Sequence, residues 1–259
     1  MARSIFNGTL RLDGVGVPVK LYAAVEPRPV SFRLLHEADR APIRQRMVHP
    51  ETGEEVAHEQ VRKGLVLPGG MVVLREEELA ELEPEASREI EILRFVAPAR
   101  LNHQWYVRPY YLGPGGEPED YFALARALAA EDKEGIVRWT MRKKVYRGAL
   151  RARGDYLVLI SLRSAAEIVA IEALPELPWP SPSKAELKMA RQLLEMLEGE
   201  LDWDQFHDRY AEQVVALAEA KAEGRVVKLP RVKPKPAQEG SLSDALAASL
   251  ARLEERGVG

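Results

Sequence analysis

Between Arg138 and Gly154 the chain carries seven basic side chains, Arg138, Arg142, Lys143, Lys144, Arg147, Arg151 and Arg153, and no acidic one. A second cluster, Arg28, Arg33, Arg40, Arg44 and Arg46, is opposed within its span only by Glu37 and Asp39, and Arg62 and Lys63 follow. Guanidinium and ammonium groups at this density can neutralise phosphate oxygens and release counterions. They can equally form a solvated face, and the residues alone leave both readings open. On an uninterrupted strand Arg138, Arg142 and Lys144 share one face while Lys143, Arg147, Arg151 and Arg153 share the other, unless a turn near Lys143 and Lys144 resets the alternation.

The net charge of −3 does not exclude a polyanion partner, because the signs are segregated: residues 76–91 hold eight acids with Arg88 among them. One face of such a molecule can bind phosphates while the whole stays acidic. Other chemistries find little support. Pro18 and the β-branched residues after Gly14-Val-Gly16 prevent the helix a nucleotide loop requires. There is no Cys, so disulfides, thiolate nucleophiles and Cys-based zinc sites are excluded, and His36, His49, His58, His103 and His207 show no metal spacing. Glu76, Glu77 and Glu78 point in successive directions on a helix and cannot converge on one atom. No nucleophile elbow occurs; no catalytic residue, metal or cofactor is assigned, and the chain is expected not to be an enzyme.

Two alternatives stay open. Lys143 or Lys20 could act as a Schiff-base nucleophile of an abasic-site lyase, or the chain could be a protein-interaction β-barrel that never touches nucleic acid. Trp105, Trp139, Trp179 and Trp203 are too scattered for a base-stacking platform and read as core or interface residues.

The elements that must position the basic clusters are mostly strands. An Asp13-Gly14 turn would set Leu12 opposite Val15, Leu10 opposite Val17, Gly8 opposite Val19 and Phe6 opposite Leu21, giving one apolar face with Arg11 and Lys20 on the other. Further strands are expected over 30–35, 43–48, 71–74, 90–96, 105–112, 136–141, 146–151 and 156–162, with hairpin loops at 49–53 and 68–70. Helices are expected over 76–82 and 119–133. Many strands with one main helix suggest a β-barrel rather than alternating βαβ units.

Four prolines between Pro175 and Pro182 mark a change of composition. Ser183 caps a helix running to about Gly199, and a second follows from about Trp203 to Gly224; between Lys184 and Ala220 this pair carries nine acids and four bases, which suits protein contact better than phosphate. Residues 228–240 read as a basic, proline-rich tether. Beyond it Ser241 and Asp244 make a capping-box-like start, and Leu242, Leu246, Leu250 and Leu253 form one stripe. A helix this short is marginal alone, so it is expected to dock on a partner or back on the body.

The run Val17-Pro-Val-Lys-Leu-Tyr22, followed by Ser31-Phe32 and Leu34-Leu35-His36, resembles the start of the bacterial Ku family, DNA-end-binding proteins of non-homologous end joining. The resemblance continues through Ile43-Arg44, Gly53-Glu-Glu-Val56, Lys63-Gly64, Pro109-Tyr-Tyr-Leu-Gly-Pro114, Arg153-Gly-Asp155, residues 185–194 and Phe206-His-Asp-Arg-Tyr210. The chain departs from the family's usual pattern at Asp13-Gly14, Val145 and Ala152. The resemblance implies a mainly β fold with α elements: a Ku-type β-barrel core over 1–180 with a DNA-bridging insertion at about 27–75, a helical dimerisation arm over 181–226, the tether at 227–240, and a partner-binding helix at 241–259. It also implies a homodimeric ring on double-stranded DNA ends and recruitment of DNA ligase D through Leu242, Leu246, Leu250 and Leu253. The chain is then expected to be cytoplasmic and nucleoid-associated. The candidate phosphate-facing set is Arg28, Arg33, Arg40, Arg44, Arg46, Arg62, Lys63, Arg138, Arg142, Lys143, Lys144 and Arg147, some of which must instead pair with the acidic segments.

Overall fold

The computed structural model describes residues 3–175, 181–225 and 242–255. The chain divides into two compact units, one of residues up to 28 with 32–173, the other of 29–31 with the residues from 174 onward. In the first, β1 (Phe6–Leu12) and β2 (Val15–Ala23) form the expected hairpin in the expected register. Asp13 and Gly14 take φ of 42° and 89°, the turn geometry whose twist matches the flanking strands. Leu10, Val17, Val19 and Leu21 are buried, while Arg11 lies on the opposite face and pairs with Glu89 at 2.9 Å.

The chain continues through β3 (Lys63–Leu67), β4 (Gly70–Leu74), α1 (Glu76–Glu81), β5 (Glu89–Val96), β6 (Tyr106–Pro114), α2 (Pro118–Ala130), β7 (Glu134–Met141), β8 (Lys144–Arg153) and β9 (Tyr156–Leu162). Seven strands close into a barrel in the order β1-β2-β6-β9-β8-β7-β5, so the expected β-barrel is present. Its seam is a parallel pairing of β1 with β5, with Thr9 opposite Glu89 and Leu10 opposite Ile90. Closure removes the unpaired edge that an open sheet would expose.

The barrel core combines inward residues of the strands, among them Ile90, Val137, Trp139, Leu150, Leu157 and Leu159, with Tyr121, Ala125 and Leu128 from one face of α2. The Tyr121 hydroxyl donates to the Leu112 carbonyl (2.5 Å) and accepts from the Leu157 amide (2.8 Å), tying β6 to β9. Burial raises its phenol above the ordinary tyrosine value. Trp139 lies so close to β8 that a Cβ at Gly148 would come within 2.7 Å of its ring and 2.8 Å of the Ile160 carbonyl.

Residues 24–88 leave the barrel after β2 and return at β5, and none of them is buried. The strands expected at 30–35 and 43–48 do not form; only isolated bridges join Leu35 to Pro42 and Val48 to Glu55. Pro29, Pro42 and Pro50 flank these stretches, and Pro cannot donate to a ladder. The one regular ribbon in this excursion is β3–β4, where 63–67, not read as a strand from sequence, is the partner of 70–74. Leu65, Val66, Leu67, Met71, Val72 and Val73 are all exposed on it. Turns do form at His49–Gly53, where the Gly53 amide donates to the His49 carbonyl, and at Gly69 and Gly70, both at positive φ.

In the second unit Ser183 caps α3 (Lys184–Leu197) as expected: its Oγ accepts from the Glu186 amide and the Glu186 carboxylate accepts from the Ser183 amide. These bonds hold the Glu186 carboxyl below its ordinary value. The second helix, α4 (Arg209–Ala222), starts later than expected from the pattern, because Asp208 accepts from the Ala211 amide as its cap and Trp203–Gln205 makes only a short 3-10 turn. A third, α5 (Leu242–Glu255), lies against α3, with Leu246 and Leu250 half-buried. The expected tether at 227–240 falls wholly, and Ser241 and the side chains of Leu242 and Leu253 fall, outside the described residues. Among the described residues no helix is long and apolar enough to cross a membrane.

Candidate nucleic-acid interface

β7 and β8 are joined by a two-residue turn, with Met141 opposite Lys144. Both turn residues, Arg142 (φ 50°) and Lys143 (φ 62°), occupy the left-handed region. Asn and Gly adopt that conformation with little strain, whereas long side chains there cost on the order of 1 kcal/mol each. The turn also resets the strand alternation, so Arg138 and Arg147 stand directly opposite one another on the outer face of the barrel.

Like charges in a cross-strand pair repel. Glu91, opposite Arg138 on β5, relieves this by pairing with the Arg138 guanidinium at 2.5 Å. Arg147 receives no such partner among the described residues. Further along the same face Arg151 donates to the Tyr106 hydroxyl (2.6 Å) and to Glu134, which is 2% exposed. The Tyr106 hydroxyl donates to the other Glu134 oxygen at 3.1 Å, and burial, then the Glu134 charge, raises its phenol. Arg151 therefore serves the barrel rather than a ligand.

All twelve candidate phosphate-facing residues are exposed, but they fall into two groups. Arg28 pairs weakly with Glu26 (3.8 Å), Arg46 with Glu55 (2.6 Å), Arg138 with Glu91, and Lys143 with Glu83 (2.9 Å). Arg62 donates to the carbonyls of Glu59 and Val61. Arg33, Arg40, Arg44 and Lys63 in the excursion, with Arg142, Lys144 and Arg147 at the β7–β8 hairpin, make no side-chain hydrogen bond or ion pair among the described residues. Arg40 sits at φ 60° in a turn held by the His36–Asp39 contact (2.8 Å) and by the Ala41 amide on Asp39. Those bonds hold the Asp39 carboxyl below its ordinary value, the Ala41 amide contributing most.

The acidic segment 76–91 thus sits against the basic one at two points, Glu83 with Lys143 and Glu91 with Arg138, which cancels part of the charge segregation seen in sequence. What remains is two sets of free cations supplied by different elements. Arg100, exposed and unpaired among the described residues, is a further free cation that a search for charge runs passes over because no basic neighbour flags it.

Residues 11–189 match the model of the Ku70/Ku80 beta-barrel domain. The chain belongs to the Ku family. It is 37% identical to the "Non-homologous end joining protein Ku" of Anaeromyxobacter sp. (strain K), over 99% of this chain and 88% of that protein. It is 34% identical to the "Non-homologous end joining protein Ku 2" of Geotalea uraniireducens, over 96% and 98% of the two chains. It is likewise 34% identical to the protein of the first name from Mycolicibacterium smegmatis, over 98% and 82%. The Ku barrel of this chain accounts for the opening ribbon, whose Val17-Pro-Val-Lys-Leu-Tyr22 run is β2.

Proposed function

We propose that this chain binds double-stranded DNA ends without regard to sequence, as a homodimeric ring, and recruits DNA ligase D to them for double-strand break repair by non-homologous end joining. Membership of the Ku family supports the end-joining role. The observation that carries the DNA reading is the set of cations free of an internal partner among the described residues: Arg33, Arg40, Arg44 and Lys63 on the excursion, and Arg142, Lys144 and Arg147 at one hairpin of the barrel. A break can have any sequence, so a protein that accepts all breaks gains from phosphate contacts and not from base readout.

The four acid-paired members of the set, Arg28, Arg46, Arg138 and Lys143, and Arg62 with its carbonyls, remain in the proposal as residues that exchange an internal partner for a phosphate. Their contribution is smaller by the cost of that exchange. The apolar residues exposed on β3–β4 and on α3, including Leu194 and Leu197, favour a second copy as their cover, because exposed apolar surface on this scale marks an interaction site. The proposed division is barrel core with bridging insertion, helical dimerisation arm, tether and ligase-binding helix. In it Leu242, Leu246, Leu250 and Leu253 contact the ligase, and α5 leaves α3 to do so. Lys143 is engaged by Glu83, which favours a scaffold over an amine nucleophile. The protein would then reside on the nucleoid.

The test compares linear duplex with the same DNA covalently closed. A threaded ring loads on the linear form and scarcely on the circle; equal binding to both overturns the ring. Deleting residues 241–259 is expected to leave end binding intact and abolish ligase stimulation, and failure of DNA binding on that deletion would overturn the assignment of the terminal helix.

A further inference from the structure

On the outer face of the barrel a depression of about 710 Å³ opens beside the β7–β8 hairpin. Its apolar surface comes from Leu101, Trp105, Ile136, Val145 and Leu162, and its rim carries Arg100, Arg147 and Arg163. The wall is built, not loosely draped: Arg163 Nη1 donates to the carbonyls of Gln104 and Tyr106, clasping the two residues that flank Trp105. Beneath that wall Tyr106 is held by Glu134 and Arg151. Arg163 is thereby occupied with structure, whereas Arg100 and Arg147 have no partner among the described residues, and Val145, near the start of β8, is 54% exposed.

A duplex gives this surface no use for its apolar part, since stacked bases are hidden and the backbone presents phosphate and sugar. An occupant must offer an anionic group and an apolar or aromatic face together. At a DNA end the group with both is an unpaired nucleotide, whose phosphate suits a guanidinium and whose base can stack on an indole. Arg147 belongs both to this depression and to the proposed duplex surface, so a strand leaving the duplex would pass from one to the other. An acidic helix of another protein also joins charge with apolar surface, but it needs an elongated groove, and this depression is of ligand size.

We infer that this depression receives unpaired nucleotides of a single-stranded overhang, with Trp105 stacking on a base and Arg100 and Arg147 holding its phosphates. The inference rests on the end-binding reading above. It would let a sequence-blind protein distinguish blunt from frayed or overhanging ends.

The experiment measures the full-length chain on a blunt duplex and on the same duplex extended by five unpaired thymidines, at one fixed salt concentration. The wild-type protein should bind the extended duplex about tenfold more tightly, the weight of roughly one stacked base. Trp105→Ala should erase that advantage and leave blunt-end affinity unchanged, while Trp105→Phe should retain most of it. If Trp105→Ala unfolds, Arg100→Gln serves instead, with a reduced advantage and a shallower salt dependence on the overhang alone. Equal wild-type affinity for both DNAs overturns the inference, as does a variant that weakens both equally. A variant that changes only self-association assigns the depression to a protein and overturns it too. Absence of blunt-end binding would instead sink the end-binding reading, which keeps the two failures apart.

Discussion

The barrel and the excursion at 24–88 are both rich in apolar and charged residues, yet they treat them in opposite ways. In the barrel, the inward apolar side chains are buried, one face of α2 packs into the same core, and the buried carboxylate Glu134 has two hydrogen-bonding partners. In the excursion no residue is buried, both faces of β3–β4 stay apolar and open, and five of its Arg and Lys side chains have no partner among the described residues. Such a two-stranded ribbon is marginal on its own. The barrel is stabilised from within, whereas the excursion has no buried core of its own.

That contrast makes predictions of graded size. The largest concerns Glu134, buried beside a part-exposed Arg151: Arg151→Ala leaves the carboxylate without its cation and is expected to cost about 3 kcal/mol of stability, the low end for a broken buried pair, read as a fall in thermal midpoint, and a change below about 1 kcal/mol would show the wall to be soft. Next, Tyr121→Phe leaves the Leu112 carbonyl and Leu157 amide unpaired in the core. Chemical denaturation should show a loss of about 1–3 kcal/mol.

The hairpin tip reverses the sign. Arg142→Asn with Lys143→Gly supplies residues suited to the left-handed turn and removes two cations, so thermal stability should hold or rise while DNA affinity falls. The slope of log affinity against log salt should become shallower by up to about two, roughly one unit for each phosphate no longer neutralised; unchanged DNA binding would remove this hairpin from the interface. In the excursion, Leu65→Ser should change the stability of the isolated chain by no more than about 0.5 kcal/mol, yet weaken self-association measured by sedimentation. The smallest effect is a pH effect. Asp39 has a depressed carboxyl pKa, so its bonds to the Ala41 amide and His36 favour the turn above the ordinary aspartate range and are lost as pH falls through the folded value. An acid titration by NMR should place the midpoint of the Asp39 carboxyl below the ordinary aspartate value.

Legibility in the sequence follows the same divide. The β1–β2 register is readable because alternation and an Asp-Gly turn over-determine it, and Ser183 announces α3 through its pairing with Glu186. Residues 30–35 and 43–48 look like strands by composition, but a strand needs a partner and the prolines deny them a continuous one. The basic hairpin is visible as charge, whereas its sorting is not: Glu91 and Glu83 reach Arg138 and Lys143 only after β5 and the segment before it fold alongside β7 and its turn. Arg100 and Trp105 carry no local signal at all, since their relation to Arg147 depends on a loop laid over the outer face of the barrel.

The parallel seam between β1 and β5 has a kinetic consequence. Thr9 and Glu89 meet only after the whole excursion has been made, so the first strand synthesised waits, hairpinned with β2, for a partner far along the chain. Pairings of such separation slow folding, whereas lengthening the intervening loop is mild in free energy, about 0.6 kcal/mol per doubling. The late step should therefore be closure of the cylinder. Its rate is set mainly by topology, so substitutions on the exposed excursion should change how fast the cylinder closes far less than substitutions in the β1–β5 seam.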